Sequence, residues 1–218
     1  MSDSALLARF DDSTPTQAQL RVSALLEAIH AAAIEGVRNL HPAFRSLLVV
    51  YDTRMWTPQG LLQRLDEAGG RADPLPKPAK TLVLPVCSSS GFAPGLVEVC
   101  AAAGLERVAA IRLFTAATYQ VAFLGFAPGF PYLLGLPPEL AVPRLARPRT
   151  HIPAGSVGIA GGQAGIYPAD TPGGWQIIGR TPFRLFDLGR EPMSLLNTGD
   201  EVRFVVIEEA RYQELSQW

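Results

Sequence analysis

Lysine is almost missing from this 218-residue chain: Lys77 and Lys80 are the only two, both in one proline-rich stretch. The second half therefore has no lysine to reach into a phosphate loop or to form a Schiff base. Cysteine is as scarce. Cys87 and Cys100 are too few to frame a disulfide-built fold, and they form no Cys-x-x-Cys pair. His30, His41 and His151 are scattered, which leaves no metal-ligand spacing. Charge is low, at 18% of residues, and 19 basic side chains against 20 acidic ones give a net −1. No basic field exists to hold nucleic acid or an anionic membrane. The first ten residues carry no basic stretch followed by an apolar core, so no signal peptide is expected and a reducing cytoplasm is the expected setting. The uncharged run Leu113–Pro138 contains Gly125, Pro128, Gly129, Pro131, Gly135, Pro137 and Pro138. A membrane-spanning helix of about 20 residues does not carry that density of breakers, so the run reads as buried strand and loop.

What the chain does have is apolar surface, glycine and proline: 48% hydrophobic residues, 20 glycines and 19 prolines. That is enough to bury a sizeable core, with turns and strands favoured over long helices. Ala5–Phe10 reads as a strand. Thr14-Pro15-Thr16-Gln17 then gives a cap, a first-turn proline and a capping-box glutamine before Val22, Leu25, Leu26, Ile29 and Ala33 at helical spacing. Val37–Leu40 and Ser46–Tyr51 read as strands, and Thr57-Pro58 opens a helix with Leu61, Leu62, Leu65 and Ala68 inward. Arg71–Lys80, with three prolines, is a stiff connector, and Thr81–Val86 is a strand. The order β-α-β-β-α-β suggests a ferredoxin-like layer, although its last strand can equally belong to the next domain. Leu96–Ala103 and Leu105–Phe114 suggest short helices. Tyr119–Phe126, Ser156–Ala160, Gly174–Ile178, Phe183–Phe186 and Glu201–Ile207 read as strands of a barrel or compact sandwich. The expected fold class is α+β, with a small domain over residues 1–80 and a β-barrel or compact sandwich domain over residues 81–218.

The chemistry concentrates late in the chain. Residues 141–190 hold six arginines (Arg144, Arg147, Arg149, Arg180, Arg184, Arg190) against two acids, Asp170 and Asp187. Guanidinium forks beside glycine-rich backbone suit a carboxylate or phosphate, while a solvated barrel rim is the bland alternative. The run Gly155–Gly162 matches neither a dinucleotide nor a phosphate-loop pattern. Ala154-Gly155-Ser156-Val157-Gly158 resembles a nucleophile elbow, but no histidine follows His151, so a hydrolase triad fails. Ser156 reads as a turn or strand residue whose hydroxyl is still free to meet a substrate. His151 itself reads as a rim or core residue rather than a catalyst. The segment Phe126-Ala127-Pro128-Gly129-Phe130-Pro131-Tyr132 sets aromatics between prolines and glycines, which suits a pocket wall or a partner interface (Phe126, Pro128, Phe130, Pro131, Tyr132) as well as a core crossover.

Three stretches carry a resemblance: Gly125–Leu133, Pro148–Pro168 (PRTHIPAGSVGIAGGQAGIYP) and Thr171–Pro182 (TPGGWQIIGRTP). They resemble the family that contains the B subunit of bacterial 5-oxoprolinase, the sporulation kinase A inhibitor and the allophanate hydrolase subunit 1 proteins. The same sequence recurs in the carboxyltransferase domain (subdomains C and D) of urea carboxylase. The likeness is strong over about Leu105–Ile207 and weaker before it. It implies a small α+β N-terminal domain followed by a cyclophilin-like β-barrel. It also implies a C-subunit partner and an A subunit, with ATP shared within the complex and none bound by this chain alone, for opening 5-oxoproline to glutamate. Inhibition of a histidine kinase, or a carboxyltransferase role of the urea carboxylase kind, are the alternatives it carries. Arg149, Gln163, Tyr167 and Arg180 are the polar side chains inside the matching motifs, and with Ser156 they form the expected substrate-binding set. No catalytic residue is assigned. Where the family has Tyr-Gly-Gly-Glu after the cysteine, this chain has Ser88-Ser89-Ser90-Gly91. Gly95 stands for an aspartate, Phe114 for a histidine and His151 for an arginine.

Overall fold

Residues 4–12, 14–69 and 80–216 are described in the structure, a computed structural model. The chain divides into two compact units, Met1–Lys77 and Pro78–Trp218. Apart from Lys80, the proline-rich connector lies outside the described residues.

In the first unit the chain runs β1 (Ala5–Arg9), α1 (Pro15–Ala32), β2 (Val37–Pro42), β3 (Ser46–Tyr51) and α2 (Pro58–Gly69). Thr14 caps α1 as its sequence requires, its hydroxyl accepting the Gln17 N–H at 3.2 Å. The strands form an antiparallel sheet in the order β1-β3-β2. Central β3 alternates cleanly, turning Leu47, Val49 and Tyr51 onto Val22, Leu26 and Ile29 of α1 and Leu61, Leu65 and Ala68 of α2. Leu62, expected inward, is exposed, one helical step beyond the buried stripe. This is the split β-α-β arrangement of a ferredoxin-like layer with three strands. The expected fourth, β4 (Thr81–Val86), is spent in the second unit.

That unit continues through α3 (Leu96–Ala103), α4 (Arg107–Ala116), β5 (Thr118–Leu124), β6 (Pro131–Leu134), β7 (Arg149–Ile152), β8 (Ser156–Ala160), β9 (Gln163–Ile166), β10 (Thr171–Gly173), β11 (Gln176–Arg180), β12 (Glu201–Val206) and α5 (Glu209–Leu215). Seven strands form one sheet in the order β11-β8-β9-β6-β5-β12-β4, and β10 pairs with β7 in a separate two-stranded sheet. The long sheet curls until its two outer strands meet. Just past the end of β4, the Cys87 N–H donates to the Arg180 carbonyl and the Arg180 N–H to the Cys87 carbonyl, both at 2.9 Å. This rung closes the barrel, and beyond it the Gly95 N–H donates to the Ile177 carbonyl at 2.8 Å. Val157, Ile159, Ala164, Ile166, Ile178, Val202 and Phe204 fill its interior with Phe114 of α4.

The uncharged Leu113–Pro138 run supplies the end of α4 and strands β5 and β6, buried strand and loop as its breakers require. No helix among the described residues is long and apolar enough to cross a membrane. Phe183–Phe186 is not a strand: only Phe186 bridges, to Ser194. Arg190 instead holds this stretch as an irregular loop, donating to the carbonyls of Arg184, Leu185, Pro192 and Met193.

Candidate functional site

The closing rung fixes the backbone of Arg180, and its side chain then runs along Gly155. A Cβ at Gly155 would lie 3.3 Å from the Arg180 Cγ and 2.2 Å from the Thr181 carbonyl oxygen, and the residue's φ is +79°. Only glycine suits that position. The guanidinium carbon ends 5.2 Å from the centre of the Phe92 ring, a cation–π arrangement. Phe92 in turn meets Tyr212 of α5 edge-on at 4.6 Å. Across the β8–β11 ladder, Arg180 is the register partner of Ser156. The Ser156 hydroxyl is wholly buried without a hydrogen-bond partner, and so is the Arg180 Nε. On the other side of β8 the Tyr167 N–H donates to the Ser156 carbonyl at 2.9 Å. Three of the five expected substrate-binding residues thus sit side by side.

Tyr167, however, turns its ring into a second apolar cluster with Phe130, Ile152, Ala160, Trp175 and Ile177. Phe130 meets it edge-on at 5.2 Å. Burial pushes the Tyr167 hydroxyl above its ordinary pKa, against a smaller opposing pull from a hydrogen bond with the Trp175 backbone. It is a neutral packing residue with an anchored hydroxyl. Gln163 stands half-buried where β9 leaves the two-glycine turn Gly161-Gly162, and among the described residues no hydrogen bond connects it to Arg180. Arg149 is a strap: its guanidinium donates to the Trp175 carbonyl at 3.1 Å and the Pro94 carbonyl at 3.4 Å. His151, on the exposed rim, places its Nε2 3.8 Å from an Asp170 carboxylate oxygen, and Asp170 also accepts the Ala154 N–H.

The aromatic loop divides. Phe130 and Pro131 are buried, which removes them from any pocket wall or partner surface, and Tyr132 is half-buried against Phe123 at 4.5 Å. Pro128 and Phe126 face solvent, Phe126 with 63% of its surface exposed. Nearby, the exposed Arg144 lies 5.8 Å over the Trp175 ring. Phe92, Tyr212 and the Arg144–Trp175 stack escape a reading of the sequence. Phe92 and Arg180 are 88 positions apart, and no local pattern marks a ring as the seat of a distant guanidinium.

The family described as "Carboxyltransferase domain, subdomain C and D" matches residues 1–196. The chain belongs to this family. Within it, the protein from Bacillus subtilis (strain 168) named as the B subunit of 5-oxoprolinase is 40% identical over 226 residues, covering 97% of this chain and 93% of that one. Among solved structures, TTHA0988 superposes with a TM-score of 0.81 at 36% identity; the match covers 94% of this chain but 40% of that longer one. The carboxyltransferase fold also recurs in the urea amidolyase of K. lactis, with a TM-score of 0.77 at 21% identity over 97% of this chain and 15% of that one. That likeness speaks to the fold alone, and it agrees with the cyclophilin-like barrel that the motifs imply.

Proposed function

We propose that this chain is the B component of an ATP-dependent 5-oxoprolinase and works with A and C components to open the lactam of 5-oxoproline to glutamate. The observation that carries this reading is the 40% identity to a 5-oxoprolinase B component across nearly the full length of both chains. A lactam is a poor electrophile at neutral pH, and coupling its opening to ATP supplies a better leaving group.

The nucleotide does not fit this chain's own residues. Lys80, the one lysine among the described residues, already donates to the Leu195 carbonyl at 2.9 Å and lies 3.6 Å from the buried Asp200 carboxylate. The glycine turns carry no partner lysine. In this reading ATP therefore sits with another member of the complex.

Mixed with its A and C counterparts, the chain is expected to release glutamate and ADP from 5-oxoproline and ATP; alone, it should show no turnover. Efficient ATP-dependent turnover by the isolated chain would overturn its role as one part of a complex, and absence of glutamate from the assembled three would overturn the substrate. A second reading, inhibition of a histidine kinase, keeps one observation in its favour: Phe126 is displayed on a rigid turn. Autophosphorylation of a sporulation-type kinase with and without the chain decides it.

A further inference from the structure

Arg180 is a half-buried cation with nothing to neutralise it. Among the described residues no carbonyl or carboxylate accepts from its guanidinium, and its Nε is cut off from solvent. The unit's other half-buried arginines are all engaged. Arg149 donates to two carbonyls, Arg190 to four, and Arg107 to the Ser88 carbonyl. A guanidinium taken partly out of water without an acceptor is costly, and the cost is recovered when an oxyanion arrives. Directly across the ladder the Ser156 hydroxyl is in the same position, wholly buried and unpartnered. Opposed residues of an antiparallel pair share one face of the sheet, so the hydroxyl and the stem of the arginine lie on the same side of the seam.

The surroundings hold these two donors still. The Cys87–Arg180 rung pins the arginine's backbone, Gly155 makes room for its stem, and the Phe92 ring seats its guanidinium carbon at 5.2 Å. Phe92 is itself touched from outside by Tyr212 of α5, a helix with no buried residue. The cover over the seam is therefore a light one.

We propose that Arg180 and Ser156 form a carboxylate subsite in the barrel seam. Its ligand is a small molecule with one carboxylate. Given the 5-oxoprolinase reading, on which the choice of ligand rests, that group is the carboxylate of 5-oxoproline, held here while its lactam ring faces the rest of the assembly. One guanidinium matches one planar carboxylate in charge and in geometry. A phosphate dianion calls for a second cation, and Lys80 is committed elsewhere.

Calorimetry on the full-length chain tests this directly, with 5-oxoproline and its carboxylate-free counterpart 2-pyrrolidinone as probes. Wild type should bind 5-oxoproline at millimolar concentrations or below and 2-pyrrolidinone at least tenfold more weakly. Arg180→Lys should weaken 5-oxoproline by roughly tenfold or more, and Arg147→Ala, at an exposed arginine outside the seam, should not change it. Ser156→Ala removes an unsatisfied hydroxyl, so it should melt no lower than wild type without ligand and still bind several-fold more weakly. That split separates a ligand contact from a structural one even if the arginine variant folds poorly. Equal binding of the two probes, no binding of 5-oxoproline by the chain, or unchanged affinity in Ser156→Ala would each overturn the subsite. Carboxylate-dependent binding by the chain without glutamate from the assembled complex would instead sink the 5-oxoprolinase reading and leave the subsite standing.

Discussion

Phe126 has a φ of +68°, in the left-handed region where a side chain costs an L-residue about 1–2 kcal/mol. A narrow turn enforces it: the Ala127 N–H reaches back to the Gly125 carbonyl at 2.8 Å, while the Gly125 N–H donates to the Phe130 carbonyl at 3.1 Å. Strain held in place under an exposed aromatic is a feature that stability alone does not select. Phe126→Gly should therefore change the unfolding free energy by less than about 1 kcal/mol, because relief of the backbone offsets lost ring contact. Four residues on, Phe130→Ala should cost about 3–5 kcal/mol, since that ring packs against Tyr132, Tyr167 and Trp175. Urea unfolding of the two variants makes the comparison; equal losses would mean that Phe126 is simply part of the core. From the sequence the two phenylalanines look alike. Proline and glycine announce a rigid turn, but which aromatic lies beneath it depends on strands brought in from residues 149–177.

Among the elements, those with a period of their own were legible: α1 with its Thr14 cap, α2 behind Thr57-Pro58, and β3, β4, β8 and β12 with branched, apolar runs. The strands of three or four residues, β6, β7, β9 and β10, were not, because glycine and proline interrupt them and pairing partners rather than propensity hold them extended. The candidate site was legible in the same partial way. The matching motifs contain Ser156 and Arg180, whereas the difference between Arg180 and Arg149 is tertiary: one guanidinium lies open over a ring and the other is closed onto two carbonyls. Arg149 thereby ties β7 to the residue before β11 and to the one before Gly95. Arg149→Ala should cost about 1–2 kcal/mol of stability through two lost hydrogen bonds, lowering the melting temperature while leaving 5-oxoproline affinity within about twofold. A tenfold loss of affinity at an unchanged melting temperature would make Arg149 a ligand contact instead.

At the scale of the molecule, each unit has its own weak point. In the first, the buried Asp52 carboxylate accepts from the Arg54 backbone and guanidinium and from Arg38, with contacts of 2.7–3.0 Å. The Arg54 hydrogen bonds, above all, hold its pKa well below the usual carboxylate range. A carboxylate depressed on folding stabilises above its unfolded pKa and loses that contribution as acid protonates it. The first unit should thus weaken as pH falls below about 4, and Asp52→Asn should be less stable at neutral pH but flatter across that range. Circular dichroism melts at pH 7 and pH 3 check both, and parallel curves for variant and wild type would remove Asp52 as the cause. In the second unit the corresponding weak point is mechanical. Six ladders run along the curled sheet, yet among the described residues its circumference is joined by three backbone hydrogen bonds, the two of the Cys87–Arg180 rung and that from the Gly95 N–H to the Ile177 carbonyl, worth together about 1.5–4.5 kcal/mol. Because the backbone of Arg180 is one half of the join and its side chain is the proposed ligand contact, a carboxylate held there should also brace the hoop.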